Sequence, residues 1–381
     1  IVLNPDFGQV ESDPADVNLT AFETYFQEKR PFFLKDIDIF ETPIEIFYSR
    51  RIGERAWGQG IKIEESPETL TDQQDCSEFG GSLIDGECIF PDTTYYNIPV
   101  IIKGAGKLTG KTESGLSYGL LGAVTTLNDS SSWANQIING KNRNYFVSRI
   151  KQDLFEGNSF IGIMTASNPH YSTPVVSVDG MLNILDNQIG LDGQIVMESL
   201  KNQNHQALYG GVSFFPLGYF SGWLDYYHYD KGLNLNDIGY LWRDDYTQTQ
   251  IGLKFQSLEP GIMIRDVSIN LEGKMEENTE GVDLGKTIGI TYYIQFDNFW
   301  EIGGGFYKIM EHYDDRKIIL DYERNEFGPP ILIPEVIGSH INISKDKHQK
   351  LRGTLSFTWA NNILNDTERA QYVEIKYKPN P

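Results

Sequence analysis

Several short spellings in the chain resemble catalytic or binding motifs, and each demands a particular backbone around it. Ala105-Gly-Lys-Leu-Thr-Gly110-Lys111-Thr112 is a relaxed phosphate-binding loop. That chemistry needs a strand, a loop of backbone N–H groups and then a helix N-terminus aimed at the phosphates. The stretch from Ser114 onward reads SGLSYGLLGAV, and its glycines and two-residue alternation make a poor helix and a good strand. A Gly/Lys-rich turn between two strands is therefore the better reading. Gly115-Leu-Ser117-Tyr-Gly119 spells a nucleophile elbow, which would place its serine on a strained strand-to-helix turn. Ser117 instead shares a strand face with Gly119 and Ala123, as a small lumen-facing residue would.

The six histidines (His170, His205, His228, His312, His340, His348) form no metal-binding pair at helical spacing, and there is no HExxH or Cys/His cluster. No metal and no cofactor is expected. His228 and His312 lie beside acidic residues at strand ends, where solvated positions are the default. The carboxylate pairs Asp36/Asp38, Asp225/Asp230 and Asp244/Asp245 are what a chain with 53 acidic residues produces by chance. Cys76 and Cys88 flank a polar loop, DCSEFGGSLIDGEC. In an oxidising compartment they would close a small loop worth about 3 kcal/mol; in a reducing one they would be free thiols.

The elements that would position these residues emerge from composition and period. The formal charge is −21, which argues against nucleic acid as a partner because the chain would repel a phosphate backbone. No apolar run approaches the roughly 18 residues of a spanning helix. With 21 Tyr, 21 Phe and 6 Trp the chain is too aromatic for a disordered tail, and 37 Gly point to many turns. Residues 1–97 show no sustained period and read as an irregular N-terminal segment, plug-like or periplasmic. From residue 98 to 381 the polarity alternates with period two in long segments. In VDLGKTIGITYYIQF, Ile288, Ile290, Tyr292 and Ile294 face one way, and Thr287, Gly289, Thr291 and Tyr293 the other. Val267, Ile269 and Leu355 belong to similar apolar faces, expected to meet lipid. A soluble sandwich also alternates, but its strands average about 5–6 residues, whereas a membrane barrel needs about 9–11. Aromatic residues gather near segment ends. Short turns are expected near 157, 186 and 297, and long loops over 128–142, 230–246 and 314–334. The fold class is all-β: a transmembrane, outer-membrane antiparallel barrel of about 14–16 strands.

An ordered set of segments carries a family resemblance: NPDFGQVE from Asn4, VNLTAFETYFQEKRPFFL, Phe47-Tyr-Ser-Arg-Arg-Ile-Gly53, Gly106-Lys-Leu-Thr-Gly-Lys111, Tyr145-Phe-Val-Ser-Arg149 and Asp237-Ile-Gly-Tyr-Leu-Trp-Arg-Asp244. It resembles a Gram-negative outer-membrane β-barrel domain of unknown function. That domain usually comes after a xylanase-type carbohydrate-binding module and is sometimes labelled a membrane-associated hydrolase. The resemblance is strong over residues 1–245. It implies an outer-membrane location and glycan handling, and it supplies no active site. The chain starts at Ile1 without the module, and its last residues, YVEIKYKPNP, lack a closing aromatic; a partial product, incomplete at its C-terminal end, is expected.

The leading functional expectation is a non-enzymatic outer-membrane barrel that handles or transports glycans or other nutrients, alone or within a larger complex. A membrane-embedded hydrolase acting on glycans or lipids, and a plugged scaffold for secretion or assembly, are the alternatives. The expected partners are outer-membrane lipid and lipopolysaccharide, glycans, and other transport or secretion subunits. Arg30, Arg50 and Arg51 stand out in an acidic chain, since Arg binds carboxylates bidentately and stays charged when partly buried. They are expected to anchor the N-terminal segment against lumen carboxylates such as Glu198, Glu272, Asp283 and Glu301; the alternative is that Arg50 and Arg51 are solvated at a periplasmic turn, as basic pairs often are.

Overall fold

The computed structural model describes residues 1–3, 22–54, 56–65, 82–84, 87–98, 100–127, 143–168, 174–200, 203–257, 259, 261–321, 326–345, 351–362 and 367–377, with 56–65, 82–84 and 87–98 described by their backbone alone. Sixteen strands form one sheet in which each pairs antiparallel with the next in sequence. They are β1 (Val2–Leu3), β2 (Val100–Lys111), β3 (Leu116–Leu127), β4 (Arg143–Leu154), β5 (Ser159–Ser167), β6 (Val175–Ile184), β7 (Ile189–Leu200) and β8 (Gln203–Leu217). After these come β9 (Phe220–Tyr229), β10 (Tyr246–Ser257), β11 (Ile264–Glu277), β12 (Asp283–Phe296), β13 (Trp300–Ile309), β14 (Val336–Lys345), β15 (Leu351–Asn362) and β16 (Thr367–Tyr377). A strand such as β3 has 12 residues. Such a strand is about 40 Å long, and at a tilt of about 45° it crosses about 28 Å, close to a bilayer's hydrocarbon core.

The register carries the alternation across the whole sheet. Leu271, Ile290 and Phe306 are lateral neighbours on the outward face, while Glu272, Gly289 and Tyr307 are neighbours on the inward face. Leu120, Ile150, Ile161, Ile195, Ile251 and Ile288 continue the outward face, each between 43% and 54% exposed. An apolar surface spread over so many strands far exceeds what water tolerates on a soluble protein; it belongs in lipid. Ile269 and Ile290 are exposed on this face, and Val267 and Leu355 lie on it half-buried.

One rim of the sheet carries short turns (112–115, 155–158, 185–188, 218–219 and 297–299). The opposite rim carries the longer connection 230–245 and the described part of the one between β13 and β14, while the long loop expected at 128–142 lies outside the described residues. Gly115 and Gly157 have φ of +83° and +93°, which the tight reversals at the short rim require. The sheet has the strand order of a barrel but is not closed in this structure: no ladder joins its edges, β1 and β16, among the described residues. β2 and β16 run in the same direction, so they cannot pair antiparallel; β1, antiparallel to β2, has the orientation that fits between them.

Residues 22–54 occupy the inner side of the sheet. They carry a single helical turn, α1 (Pro31–Leu34), started by Pro31 where a missing N–H costs nothing, and two 3-10 turns, Ile37–Phe40 and Ser49–Arg51. Phe33, Phe40, Ile44, Ile46 and Ile52 are almost fully buried, in one cluster with the wall residues Leu121, Val147, Met164, Ala166 and Val196. Residues 56–65 and 87–98, where the sequence shows no legible period, pair as a long antiparallel ladder that also takes in 82–84. The boundary expected at residue 97 lies within the last residues of the strand 87–98, whose Ile98 still pairs with Ala56.

Candidate functional site: a plugged lumen

Wall strands meet the inner segment chiefly through side chains that serve its backbone. Gln194 on β7, 2% exposed, accepts from Ile44 N–H at 2.6 Å and donates to Ile44 C=O at 3.1 Å. Tyr145 on β4 donates its hydroxyl to Arg51 C=O at 3.0 Å. Lys107 on β2 donates Nζ to Phe33 C=O at 3.1 Å and also to Lys35 C=O, and Thr109 donates to Asp36 at 3.1 Å. On β3 the contact is steric: a Cβ at Gly119 would lie 2.8 Å from the Phe40 ring, so glycine lets that ring sit on the wall. The loop 230–245 closes over the segment from the long-loop rim. Tyr48 N–H donates to Ile238 C=O at 2.8 Å and Tyr240 N–H to Glu45 C=O at 2.9 Å, a short ladder between loop and plug. Gly239 permits it, since a Cβ there would be 2.6 Å from Glu45 O.

Charge is arranged inside the plug and between loops. Glu28 gathers Arg30 (2.7 Å), the Ser49 hydroxyl (2.6 Å) and the Arg30 N–H (2.8 Å). Burial raises the Glu28 carboxyl, but the hydrogen bonds and charge of Arg30 outweigh it and hold the carboxyl below its usual range. Glu45 is the opposite case: burial pushes it up to about 7, with the Tyr25 hydroxyl at 3.4 Å and Arg51 opposing and Glu41 adding. At the rim, Arg243 pairs with Asp315 and Arg316 with Asp244, each at 2.7 Å, with side chains no more than 12% exposed. Asn278 donates to the same Asp315 at 3.2 Å. These bonds tie together loops 230–245, 278–282 and 310–335. Within the wall, Arg149 crosses β5 to Asp179 in a buried bidentate pair (2.7 Å for Nη2–Oδ2). Gly162 lies beneath it, where a Cβ would be 2.7 Å from the guanidinium.

Beyond the plug, the inward faces of β10–β14 enclose a cavity of about 460 Å³ lined by Gln248, Gln250, Glu272, Lys274, Tyr307 and His340, among others. A family model described as "Domain of unknown function (DUF5916)" matches residues 1–380. The chain belongs to that family. No curated protein matches this DUF5916 chain in sequence. Among solved structures it is similar to Pseudomonas aeruginosa OpdQ (12% identity, 74% of this chain and 83% of that one, TM-score 0.41). It is also similar to P. aeruginosa OpdK with vanillate (12%, 74% and 84%, 0.41) and to a Rhodopseudomonas blastica porin mutant (9%, 85% and 98%, 0.36). At such scores the likeness fixes neither register nor lumen contents.

In the DUF5916 chain the three arginines sit in the plug, and their partners differ from those expected. Arg30 pairs with Glu28 and donates to Ile52 and Ser49 carbonyls at 2.6 and 2.8 Å. Arg51 pairs with Glu23 (2.6 Å) and Glu54 (3.1 Å) and donates to Gly239 C=O at 3.0 Å. Arg50 donates to Gln27 C=O at 3.2 Å. Glu301 accepts from Gln295 and Ser344 at 3.0 Å, and Asp283 pairs with Lys286. Glu272 lines the cavity. Of the four carboxylates, Glu198 reaches the inward loop, accepting from Asn234 N–H at 2.9 Å. The physical reason is local supply: residues 22–54 contain their own carboxylates, close by in space, so the wall groups Gln194, Tyr145 and Lys107 serve the plug's backbone instead. The carboxylate pairs do not converge; Asp36 takes Thr109, Asp225 the Tyr209 hydroxyl (3.3 Å), Asp230 the Gln206 N–H (2.7 Å) and Asp245 the Thr279 N–H (2.9 Å). Sequence reasoning missed Gln194, Tyr145 and Lys107 as anchors. Lys107 was in view inside the phosphate-loop spelling, which here is strand β2 with its lysine turned to the plug. Cys76 lies outside the described residues, and only the backbone of Cys88 is described.

Proposed function

We propose that this chain is a non-enzymatic outer-membrane channel protein whose residues 1–97, apart from the wall strand β1, supply a stopper and whose residues 98–381 supply the rest of the wall, and that its solutes are glycan fragments. The observation that carries the reading is the pairing of a lipid-compatible outer face with a hydrogen-bonded segment seated on the inner one. A closed sheet spans a bilayer because all its backbone groups are paired, and β-barrels of this kind belong to outer membranes. A wall of this many strands leaves a lumen that must be filled or conduct. Its lipid neighbours are lipopolysaccharide and phospholipid, and partner subunits would meet the long-loop rim. In that compartment Cys76 and Cys88 are disulfide-linked, which free-thiol labelling of unreduced protein checks. The deciding experiment is single-channel recording of the chain in planar bilayers. Gln194→Ala strands two backbone groups of Ile44 at about 1–3 kcal/mol each, and Tyr145→Phe frees another. The double variant is expected to conduct several-fold more than the parent while still migrating as a folded barrel. A folded variant that stays silent overturns the channel reading.

A further inference from the structure

The inward face of β8–β10 carries a run of aromatic rings that starts at the buried cluster shared with the plug, where Tyr229 and Tyr246 lie, and continues along the wall away from it. Tyr209 and Tyr227 are register partners with ring centroids 4.7 Å apart. Tyr227 and Tyr229 lie 6.4 Å apart with planes within 5°, and Tyr229 and Tyr246 continue the stack at 6.4 Å. At the other end of β9, Trp223 lies flat over Gly252, where a Cβ would be 2.0 Å from the indole. Residues 223, 225, 227 and 229 share the inward face, so the run tracks the strand across the wall. Tyr229 and Tyr246 are buried, beneath Trp242 of the loop 230–245, which meets the Tyr246 ring edge-on at 5.1 Å. Trp223, Tyr209 and Tyr227 are half-buried. The run therefore leads from the cavity side to the loop that covers the plug.

Beside the rings lies a floor of amides and hydroxyls. Gln248 and Gln250 are the register partners of Tyr227 and Asp225, and both line the 460 Å³ cavity with Thr287, Thr291 and His340. Tyr246 donates to Gln248 Oε1 at 2.9 Å and to Glu276, and Tyr209 to Asp225, so the rings are held by their hydroxyls and cannot turn freely. Lys274, the cation lining the cavity, is paired with Glu276 at 2.8 Å. An anionic solute would meet Glu272, Glu276 and Asp225 with no uncommitted cation from that lysine.

We infer that Trp223, Tyr209 and Tyr227 with Gln248 and Gln250 form a binding track for a neutral oligosaccharide. A pyranose presents an apolar C–H face and a rim of hydroxyls, each both donor and acceptor. Fixed aromatic faces take the first, and amides, which offer donors and acceptors together, take the second. Successive rings along one strand suit a linear chain of sugars. The inference rests on the glycan part of the proposed function and is independent of whether the plug opens.

Calorimetric titration of the full chain in detergent with maltohexaose, cellohexaose and xylohexaose tests it, with spermine as a cationic comparison. At least one hexasaccharide is expected to bind. Trp223→Ala or Tyr227→Ala should weaken binding about tenfold, the loss of one aromatic contact. Trp223→Phe should retain most of the affinity, and Ile195→Ala on the outward face should change nothing. Failure of all three sugars at millimolar concentration, binding indifferent to Trp223→Ala and Tyr227→Ala in folded protein, or Trp223-dependent binding of spermine alone would each overturn the track. A silent bilayer recording with intact sugar binding would instead refute the channel while leaving the track standing.

Discussion

Glu45 faces Tyr25, Glu41 and Arg51 at the edge where the plug meets the loop 230–245, and its carbonyl accepts from Tyr240. Burial raises its carboxyl to about 7, above the unfolded value of 4.5. A carboxyl raised on folding binds more protons folded than unfolded between those two values. Its contribution is thus fully present below about pH 4.5 and is lost as pH rises through about 7. Docking of residues 44–48 should loosen between pH 5 and 8, read as faster amide exchange at Ile46 and Tyr48. Glu45→Gln should make that exchange independent of pH across the window apart from the intrinsic rate. A parent protein with flat protection from pH 5 to 8 would refute the role. The Arg149–Asp179 pair shows the other residue-scale lesson: its charges are satisfied across a strand only because position 162 lacks a side chain.

The strands obey two physical demands at once, apolar residues outward and polar or small ones inward, and β12 shows both. Ile290 is 39% exposed on the outer face while its neighbours Gly289 and Thr291 line the cavity. Ile290→Arg should destabilise the barrel by about 2–4 kcal/mol if the residue lies near the bilayer midplane. Urea titration of the refolded barrel in lipid measures this, and a neutral result would reverse the assignment of faces. The edges obey a third demand. Unpaired backbone groups do not persist in hydrocarbon, yet β2 and β16 have the wrong relative direction for an antiparallel ladder. β1 is the strand whose direction closes the sheet with an even count. With Leu3 outward and 79% exposed, Leu3→Cys should form a disulfide with a cysteine at Gln371, Val373 or Ile375 of β16 in membranes. Absence of cross-linking at all three would mean the seam closes elsewhere.

At the scale of the molecule, three loops, one plug and the wall form a connected assembly. The Arg243–Asp315 pair is central: burial raises Asp315, but the hydrogen bond and charge of Arg243 outweigh it, holding the carboxyl below its usual range. A depressed carboxyl contributes stability above its unfolded value of 3.8 that is lost as pH falls through the lower folded value, so the clasp is fully set at neutral pH. Breaking one partner of a buried pair costs about 3–5 kcal/mol, and replacing both with apolar residues can restore stability. Arg243→Ala should therefore expose loop 230–245 to protease, and the Arg243→Met/Asp315→Leu double variant should protect it again. Equal cleavage of parent and Arg243→Ala protein would show that the clasp holds nothing shut.

Much of this architecture was legible in the residues themselves. Period-two alternation over long segments determines strands, their two faces and their burial against lipid, because side chains on a strand can point only two ways and bilayer thickness sets the strand length. The short-turn rim, the strand status of the phosphate-loop and elbow spellings, and the inward face of Ser117 come from the same period. The plug's anchors did not. Gln194, Tyr145 and Lys107 look like any inward polar residue, and what distinguishes them is that a backbone carbonyl or N–H more than 70 residues away arrives within hydrogen-bond reach. The arginines drew attention by their charge, but charge alone does not choose among 53 acidic residues. Only the tertiary structure brings Glu23, Glu28 and Glu54 nearer than the wall, and only it sets Trp223 over Gly252 and stacks four tyrosines across three strands. Local pattern is a property of neighbours in sequence; partner choice between distant segments is a property of closure, and closure is decided in three dimensions.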